Sequence, residues 1–261
     1  MECDRVPVGR SVVPEILKTL RESTTMHDFG KLVYLDLQKT GSTFVSRFLN
    51  ETCTLSLIKE SKHGRIHSRR DRTAFYVITV RHPISQYSSL FRYGLDRQGA
   101  LYDRLAQRGN ADLYVREPGA FNRWLRFVLQ DENAAALGEG FERIPREYNL
   151  GFLSYRYLML SLARPEKTLL RKPKKVDLLE YARQKSIVNH VIFNETLNQG
   201  LKALATQVKP EFFDQQKVID FFAKGQRVNE STTSKETIGE IADNVQELIK
   251  TKERILLSLY S

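Results

Sequence analysis

The fold class is decided by the stretch Leu35-Asp36-Leu37-Gln38-Lys39-Thr40-Gly41-Ser42-Thr43-Phe44. This stretch completes the apolar run Leu32 to Leu37, whose β-branched and aromatic content is typical of a buried strand. Small residues then form a turn, and Thr43 to Asn50 places apolar side chains on one helical face. A buried strand, a tight turn and a helix in this order predict one unit of a parallel α/β fold.

The same arrangement is predicted twice more along the chain. Phe75 to Val80 is a second buried-strand run, and the helical pattern Ile84 to Tyr93 follows a proline at a helix-start position. Ile187 to Phe193 has strand composition, and Glu195 to Ala205 returns to helical spacing. We therefore expect a single α/β domain over residues 1–261, with a mostly parallel sheet flanked by helices on both faces.

Three further segments complete the predicted organisation. A core-facing helical stripe is formed by Phe121, Trp124, Leu125, Val128 and Leu129. Thr233 and Glu236 predict a capping box at the start of the last helix. Arg164 to Pro173 has the weakest pattern, which predicts an exposed excursion there.

The composition of the 261-residue chain limits the class of protein. Its net charge of +10 favours acidic partners such as phosphates, sulfated sugars, nucleic acid or anionic membrane. No apolar run approaches the roughly eighteen residues that a membrane span needs. Cys3 and Cys53 are the two cysteines, which excludes a dense disulfide framework and favours the reducing cytoplasm. A domain of the Golgi lumen cut free of its anchor would look similar.

Much of the positive charge lies in three clusters. They are Arg65, Arg69, Arg70 and Arg72; Arg92 and Arg97; and Lys167, Arg171, Lys172, Lys174 and Lys175. A solvated basic surface and a binding site for an acidic ligand are both open interpretations of each cluster.

The turn before the first helix has the composition of an anion-binding loop. Its backbone N–H groups and the positive end of the helix dipole can converge on a phosphate or sulfate. Lys39 adds a full charge, Gly41 permits the turn, and the hydroxyls of Thr40, Ser42 and Thr43 are candidate donors. The loop is not that of the nucleotide triphosphatases, in which four residues separate a glycine from Gly-Lys-Ser/Thr.

A second anion-binding segment follows the second strand, in Arg81-His82-Pro83-Ile84-Ser85-Gln86-Tyr87-Ser88-Ser89. Arg81 ends the strand, and Ser89 lies two turns into the next helix. A guanidinium fork and a hydroxyl in these positions can converge on one phosphate. A structural ion pair at Arg81 and a plain surface serine at Ser89 are the alternative interpretation.

Together the two segments resemble the sulfotransferase superfamily, which uses 3′-phosphoadenosine 5′-phosphosulfate (PAPS). In that superfamily a Lys-Thr/Ser-Gly-Ser/Thr-Thr loop holds the 5′-phosphosulfate, and an Arg with a Ser eight residues later holds the 3′-phosphate. The resemblance is greatest to the Golgi-type carbohydrate 2-O and 6-O sulfotransferases. It covers about residues 31–93, with His82 where the family commonly has Asp and Gln38 where it usually has Pro. Arg227 to Ser231 is similar to the loop that closes over the nucleotide in relatives.

The resemblance implies a P-loop-like sulfotransferase fold and in-line transfer of a sulfuryl group from PAPS, leaving 3′-phosphoadenosine 5′-phosphate (PAP). Lys39 would neutralise the bridging oxygen, and a base would take the proton of the acceptor hydroxyl. His63 beside Gly64 resembles the His-Gly of the uronyl 2-O-sulfotransferases and is the first candidate for the base. His67 and Glu60 are the alternatives. No His, Cys or carboxylate set has metal-ligand spacing, so no metal is expected.

The expected acceptor is a carbohydrate hydroxyl, acidic glycans included. A small-molecule or lipid-linked alcohol is the nearer alternative. A nucleotide kinase would need a Walker-type loop and a magnesium carboxylate, and a basic nucleic-acid-binding protein would carry a recognised motif, so we expect no nucleic-acid partner.

Overall fold

The computed structural model of the chain describes residues 25–61, 71, 73–224 and 239–261. These residues contain a five-stranded sheet of order β3-β1-β2-β4-β5. Its strands are β1 (Thr25–Asp28), β2 (Leu32–Asp36), β3 (Lys59–Ser61), β4 (Phe75–Val80) and β5 (His190–Phe193). β2, β4 and β5 are parallel neighbours, whereas β1 is antiparallel to both β2 and β3.

The α/β class and the three predicted strands are confirmed, but the prediction of a mostly parallel sheet is not. The described sheet is mixed, with two parallel and two antiparallel pairings. β1 and β3 were missed because their short sequences, Thr-Met-His-Asp and Lys-Glu-Ser, lack the apolar run of a buried strand. They form the edge of the sheet next to β2, where polar strands are tolerated.

Alternate residues of the central strands point into two separate cores. Val33 and Leu35 belong to one hydrophobic cluster, and Leu32 and Tyr34 belong to the other. Helices cover both faces because each face of these strands is apolar. The layers are therefore helix, sheet and helix, as the sequence predicted.

The described helices vary in length from one turn to almost four turns. They are α1 (Ser42–Thr52), α2 (Pro83–Leu95), α3 (Ala100–Gln107), α4 (Ala120–Leu129), α5 (Ala134–Leu137), α6 (Phe152–Ser161), α7 (Pro165–Leu170), α8 (Leu178–Lys185), α9 (Leu197–Ala203), α10 (Gln215–Ala223), α11 (Asp243–Lys252) and α12 (Arg254–Leu257). A π-helical stretch, Leu204–Val208, continues α9. None of these helices has the length and apolar composition for crossing a membrane.

Most helix predictions are confirmed. α1 and α2 contain the predicted helical segments, and the predicted core stripe is the buried face of α4. The segment between Arg164 and Pro173 is mostly exposed, as expected, but it contains α7, because Pro165 begins a helix whose Leu169 is fully buried. The predicted capping box, Thr233 with Glu236, lies outside the described residues.

The carboxylate of Glu253 holds the C-terminal segment against α6. It is fully buried and accepts hydrogen bonds from the N–H groups of Leu153 (3.3 Å) and Ser154 (2.7 Å) and from the Tyr87 hydroxyl. These two N–H groups belong to the first turn of α6, so Glu253 caps that helix from a distant part of the chain. A Cβ at Gly151 would lie 2.1 Å from Glu253 Oε1, so the close approach requires glycine there.

Replacing this carboxylate should destabilise the protein. We expect Glu253→Ala to lower the free energy of unfolding by about 3 kcal/mol or more, because it leaves buried donors unsatisfied. Urea denaturation measures the change. Glu247→Ala, in an exposed pair on α11, is the control and should change stability by less than about 0.5 kcal/mol. Equal effects of the two substitutions would contradict the capping role.

Candidate active site

The candidate site is a cleft of about 740 Å³ at the carboxyl ends of β2, β4 and β5. Residues 38, 39 and 41–44, from the β2–α1 loop and the first turn of α1, form one wall. Arg81, Ser89 and Tyr93 lie on a second wall, and residues 194–199, which follow β5, form a third. The three parallel strands end at one edge of the sheet, so they bring segments that are far apart in sequence to one place.

The β2–α1 loop turns sharply into the helix. Lys39 (φ 66°) and Gly41 (φ 96°) both adopt left-handed backbone. A Cβ at position 41 would lie 2.9 Å from both Asn194 Nδ2 and Leu197 Cδ2, so glycine is required there for space as well. Gly41 is the N-cap of α1 and gives it no side-chain cap. The positive end of α1 therefore faces the cleft without a protein carboxylate or hydroxyl capping it.

Thr40 anchors this loop instead of lining the cleft. Its hydroxyl is fully buried, donates to the Leu37 carbonyl (2.5 Å) and lies 2.7 Å from the Thr79 hydroxyl. The Thr79 hydroxyl is in turn 2.7 Å from that of Tyr34. Three hydroxyls thus join β2, β4 and the loop. The expected role of the Thr40 hydroxyl as an anion donor does not fit this geometry, whereas Ser42 and Thr43 do line the cleft.

The ammonium group of Lys39 lies over the ring of Tyr93, 3.4 Å from its centre. This cation–π contact holds the lysine at the cleft wall. Burial, and to a smaller extent the charge of Arg81, lowers the pKa of Lys39 to about 8. Lys39 is therefore a cation at neutral pH that loses its proton in mildly alkaline solution.

Arg81 and Ser89 face the same cleft as Lys39, from the end of β4 and from α2. Arg81 Nη1 donates to the Lys39 carbonyl at 3.4 Å, which links the two anion-binding segments. In the described part of the chain no carboxylate lies within 4 Å of the Arg81 guanidinium. Burial lowers the pKa of Arg81 from its usual value. Glu195 interacts with Arg81 electrostatically but forms no ion pair with it within that distance, so the guanidinium remains available to bind an anionic ligand.

Gln38 lies where the family that the sequence resembles usually has proline. It connects the β2–α1 loop to buried residues. Its carbonyl accepts from Gln86 Nε2 (2.8 Å), and its side-chain oxygen accepts from Arg156 Nη1 (2.7 Å). Arg156 is 1% exposed and forms a buried ion pair with Glu139. Sequence analysis missed this contact because its partners lie more than a hundred positions apart, and each residue alone resembles a surface residue.

The segment after β5 supplies two polar residues that sequence analysis also missed. Asn194 Nδ2 donates to the Thr40 carbonyl at 3.0 Å. Glu195 accepts from the His82 N–H (2.9 Å) and from the Tyr260 hydroxyl (3.0 Å). Their position directly after a predicted strand was the available signal, because polar residues at the carboxyl ends of parallel strands commonly form sites.

Of the three candidates for the base, Glu60 lies among the described residues. His63 and His67 lie outside the described residues, as do Arg65, Arg69, Arg70, Arg72 and the segment 227–231. Glu60 lies on β3, is exposed, pairs across the sheet with His27 and does not line the cleft. Within the described ranges, no group of three or more His, Cys, Asp or Glu side chains is arranged to hold a metal ion.

Comparison with known proteins gives no further assignment: no protein-family model, no curated protein and no solved structure matches the chain. The family resemblance therefore depends on the sequence motifs alone.

The pKa of Lys39 gives a test of the anion site that is independent of any nucleotide. Sulfate keeps its charge across the alkaline range, so its affinity should follow the protonation of the protein. We expect the affinity to fall about tenfold between about pH 7 and about pH 9.5, as Lys39 loses its charge. The sulfate affinity at each pH is measured by a titration at constant ionic strength that is monitored by NMR. Lys39→Met should bind sulfate weakly with little pH dependence, and an unchanged pH profile in this variant would contradict the assignment.

Proposed function

We propose that this protein is a sulfotransferase that moves a sulfuryl group from PAPS to a hydroxyl group of a carbohydrate. The observation that carries the proposal is the convergence of Lys39, the uncapped start of α1, Arg81 and Ser89 on one cleft. These groups come from two separate segments, and both segments match the phosphate-binding pattern of that superfamily. The volume of about 740 Å³ is in the range of nucleotide-sized ligand sites.

Each anion-binding segment would hold one end of the nucleotide. The first turn of α1, with the Ser42 and Thr43 hydroxyls, would bind the 5′-phosphosulfate. Arg81 and Ser89 would bind the 3′-phosphate. Arg81 also donates to the Lys39 carbonyl, so the two segments that would hold the ends of the nucleotide are in direct contact.

Lys39 would stabilise the leaving group. The acceptor oxygen attacks sulfur as the bond between sulfur and the bridging phosphate oxygen breaks, and negative charge accumulates on that oxygen. The attraction between the Lys39 ammonium and the bridging oxygen would be strongest in the transition state. An interaction that strengthens there raises kcat. Nucleotide binding would also raise the pKa of Lys39, which in the free protein is about 8.

The path of the chain supports a base on the segment after β3. Ser61, the last residue of β3, pairs with Met26, which in turn pairs with Leu35 near the carboxyl end of β2. The chain therefore leaves β3 toward the edge of the sheet at which the cleft lies. His63 follows two residues later, so we retain it as the proposed base, with His67 as the alternative.

A nucleotide kinase is the second candidate, and Glu195 is the observation in its favour, because a carboxylate in the cleft could bind magnesium. Both of its oxygens are already hydrogen-bonded, to the His82 N–H and the Tyr260 hydroxyl. The β2–α1 loop also lacks the Walker spacing. We therefore favour sulfuryl transfer.

Nucleotide binding tests the proposal directly. The protein should bind PAP far more tightly than adenosine 5′-phosphosulfate, which lacks the 3′-phosphate, and more tightly than ATP with magnesium or duplex DNA. Arg81→Ala should weaken PAP binding by about 1.5 to 3 kcal/mol, the usual contribution of a charged hydrogen bond. Isothermal calorimetry measures both effects. Equal affinity for PAP and adenosine 5′-phosphosulfate would overturn the assignment, and preferential binding of magnesium ATP would favour the kinase.

The base can be identified by comparing three alanine variants. His63→Ala should lower kcat by roughly 10²- to 10⁴-fold and leave PAP affinity nearly unchanged, because only proton removal from the acceptor is lost. His67→Ala and Glu60→Ala should have much smaller effects. Steady-state kinetics over pH should also show that the low-pH limb disappears in His63→Ala. Full activity of this variant together with an inactive His67→Ala would assign the base to His67.

A further inference from the structure

Arg92 is a basic residue between Ser89 and Tyr93, two residues of α2 that line the cleft; Arg92 itself is not among the lining residues, and the proposed function has not used it. It lies on α2, three residues after Ser89, so the two side chains project from neighbouring positions one helical turn apart. Its companion in the sequence cluster, Arg97, lies beyond the end of α2 and is exposed. The two arginines therefore have different environments.

The Arg92 side chain is half-buried without a compensating partner. Its Nε is buried and has no hydrogen-bond partner among the described residues. Over the same residues, no carboxylate forms an ion pair with its guanidinium. A buried guanidinium N–H without an acceptor is unfavourable, and an anion bound to the accessible part of the same guanidinium would offset that cost.

Arg92 and Arg81 are also close enough to repel each other. The charge of Arg92 lowers the pKa of Arg81, and burial lowers the pKa of both. Glu195 is the carboxylate that interacts with Arg81, and both of its oxygens are engaged by the His82 N–H and the Tyr260 hydroxyl. Two guanidinium groups thus lie in one region, and the single carboxylate there does not neutralise both positive charges.

We propose that Arg92 is a second arginine ligand of the nucleotide 3′-phosphate, beside Arg81 and Ser89. This inference rests on the proposed function and makes it more specific. A phosphate monoester carries close to two negative charges at neutral pH, so two guanidinium groups match it better than one. The second arginine would increase the preference for nucleotides that carry a 3′-phosphate over those that lack it.

The test compares PAP with adenosine 5′-phosphate, which differs from PAP only by the 3′-phosphate. Arg92→Met retains an apolar side chain for packing and removes the charge and all donors. It should weaken PAP binding by about 10- to 100-fold and change adenosine 5′-phosphate binding less than about twofold. Arg97→Met is the matched control and should bind both nucleotides like the wild type. Calorimetry gives the affinities, and thermal denaturation checks that each variant is folded.

The outcomes separate the two proposals. A wild-type protein that prefers PAP, together with an Arg92→Met variant of equal PAP affinity, would overturn the role of Arg92 and leave the proposed function standing. A wild-type protein that does not distinguish the two nucleotides would overturn both. If Arg92→Met is unstable, Arg92→Lys replaces it: loss of the guanidinium fork should still weaken PAP binding selectively, and wild-type affinity would contradict the proposal.

Discussion

The turn between β2 and α1 is the constraint on which the rest of the candidate site depends. Lys39 and Gly41 both adopt left-handed backbone, which costs a non-glycine residue on the order of 1 kcal/mol or more. Thr40 lies between them, and its buried hydroxyl is bonded to Leu37 and Thr79. These buried bonds offset the local strain and fix the direction in which Lys39 and the start of α1 face. The shape of the candidate site is therefore fixed by contacts within the protein.

The second property of the site is its positive charge: among the described residues, no carboxylate forms an ion pair with Lys39 or Arg81. Lys39 rests on an aromatic ring, and Arg81 donates to a backbone carbonyl, so neither contact removes a charge. Burial lowers the pKa of both groups; the charge of Arg81 lowers that of Lys39 further, and the charge of Arg92 lowers that of Arg81, which Glu195 raises. The charged form of the free protein is destabilised, and a polyanion would relieve that destabilisation on binding. This arrangement is what a site for a nucleotide with phosphate groups at both ends requires.

The parts of the fold predicted from the sequence are those with a strong local signal. β2, β4 and α4 have apolar runs or stripes that single segments reveal, and the two anion-binding segments have recognisable spacing. The short strands β1 and β3 have no such signal, so the mixed sheet could not be predicted. The contacts of Gln38 with Arg156 and of Glu195 with Tyr260 join distant parts of the chain. Tertiary structure alone brings these residues together.

Sulfur-35 transfer from labelled PAPS measures most directly whether this protein moves a sulfuryl group. The acceptors should include acidic and neutral glycans as well as small and lipid-linked alcohols. We expect a labelled glycan with the wild-type protein and a rate at least about 100-fold lower with Lys39→Ala, since one transition-state contact of this kind contributes that much. Absence of transfer to every acceptor, or equal transfer by the two proteins, would contradict the proposed function.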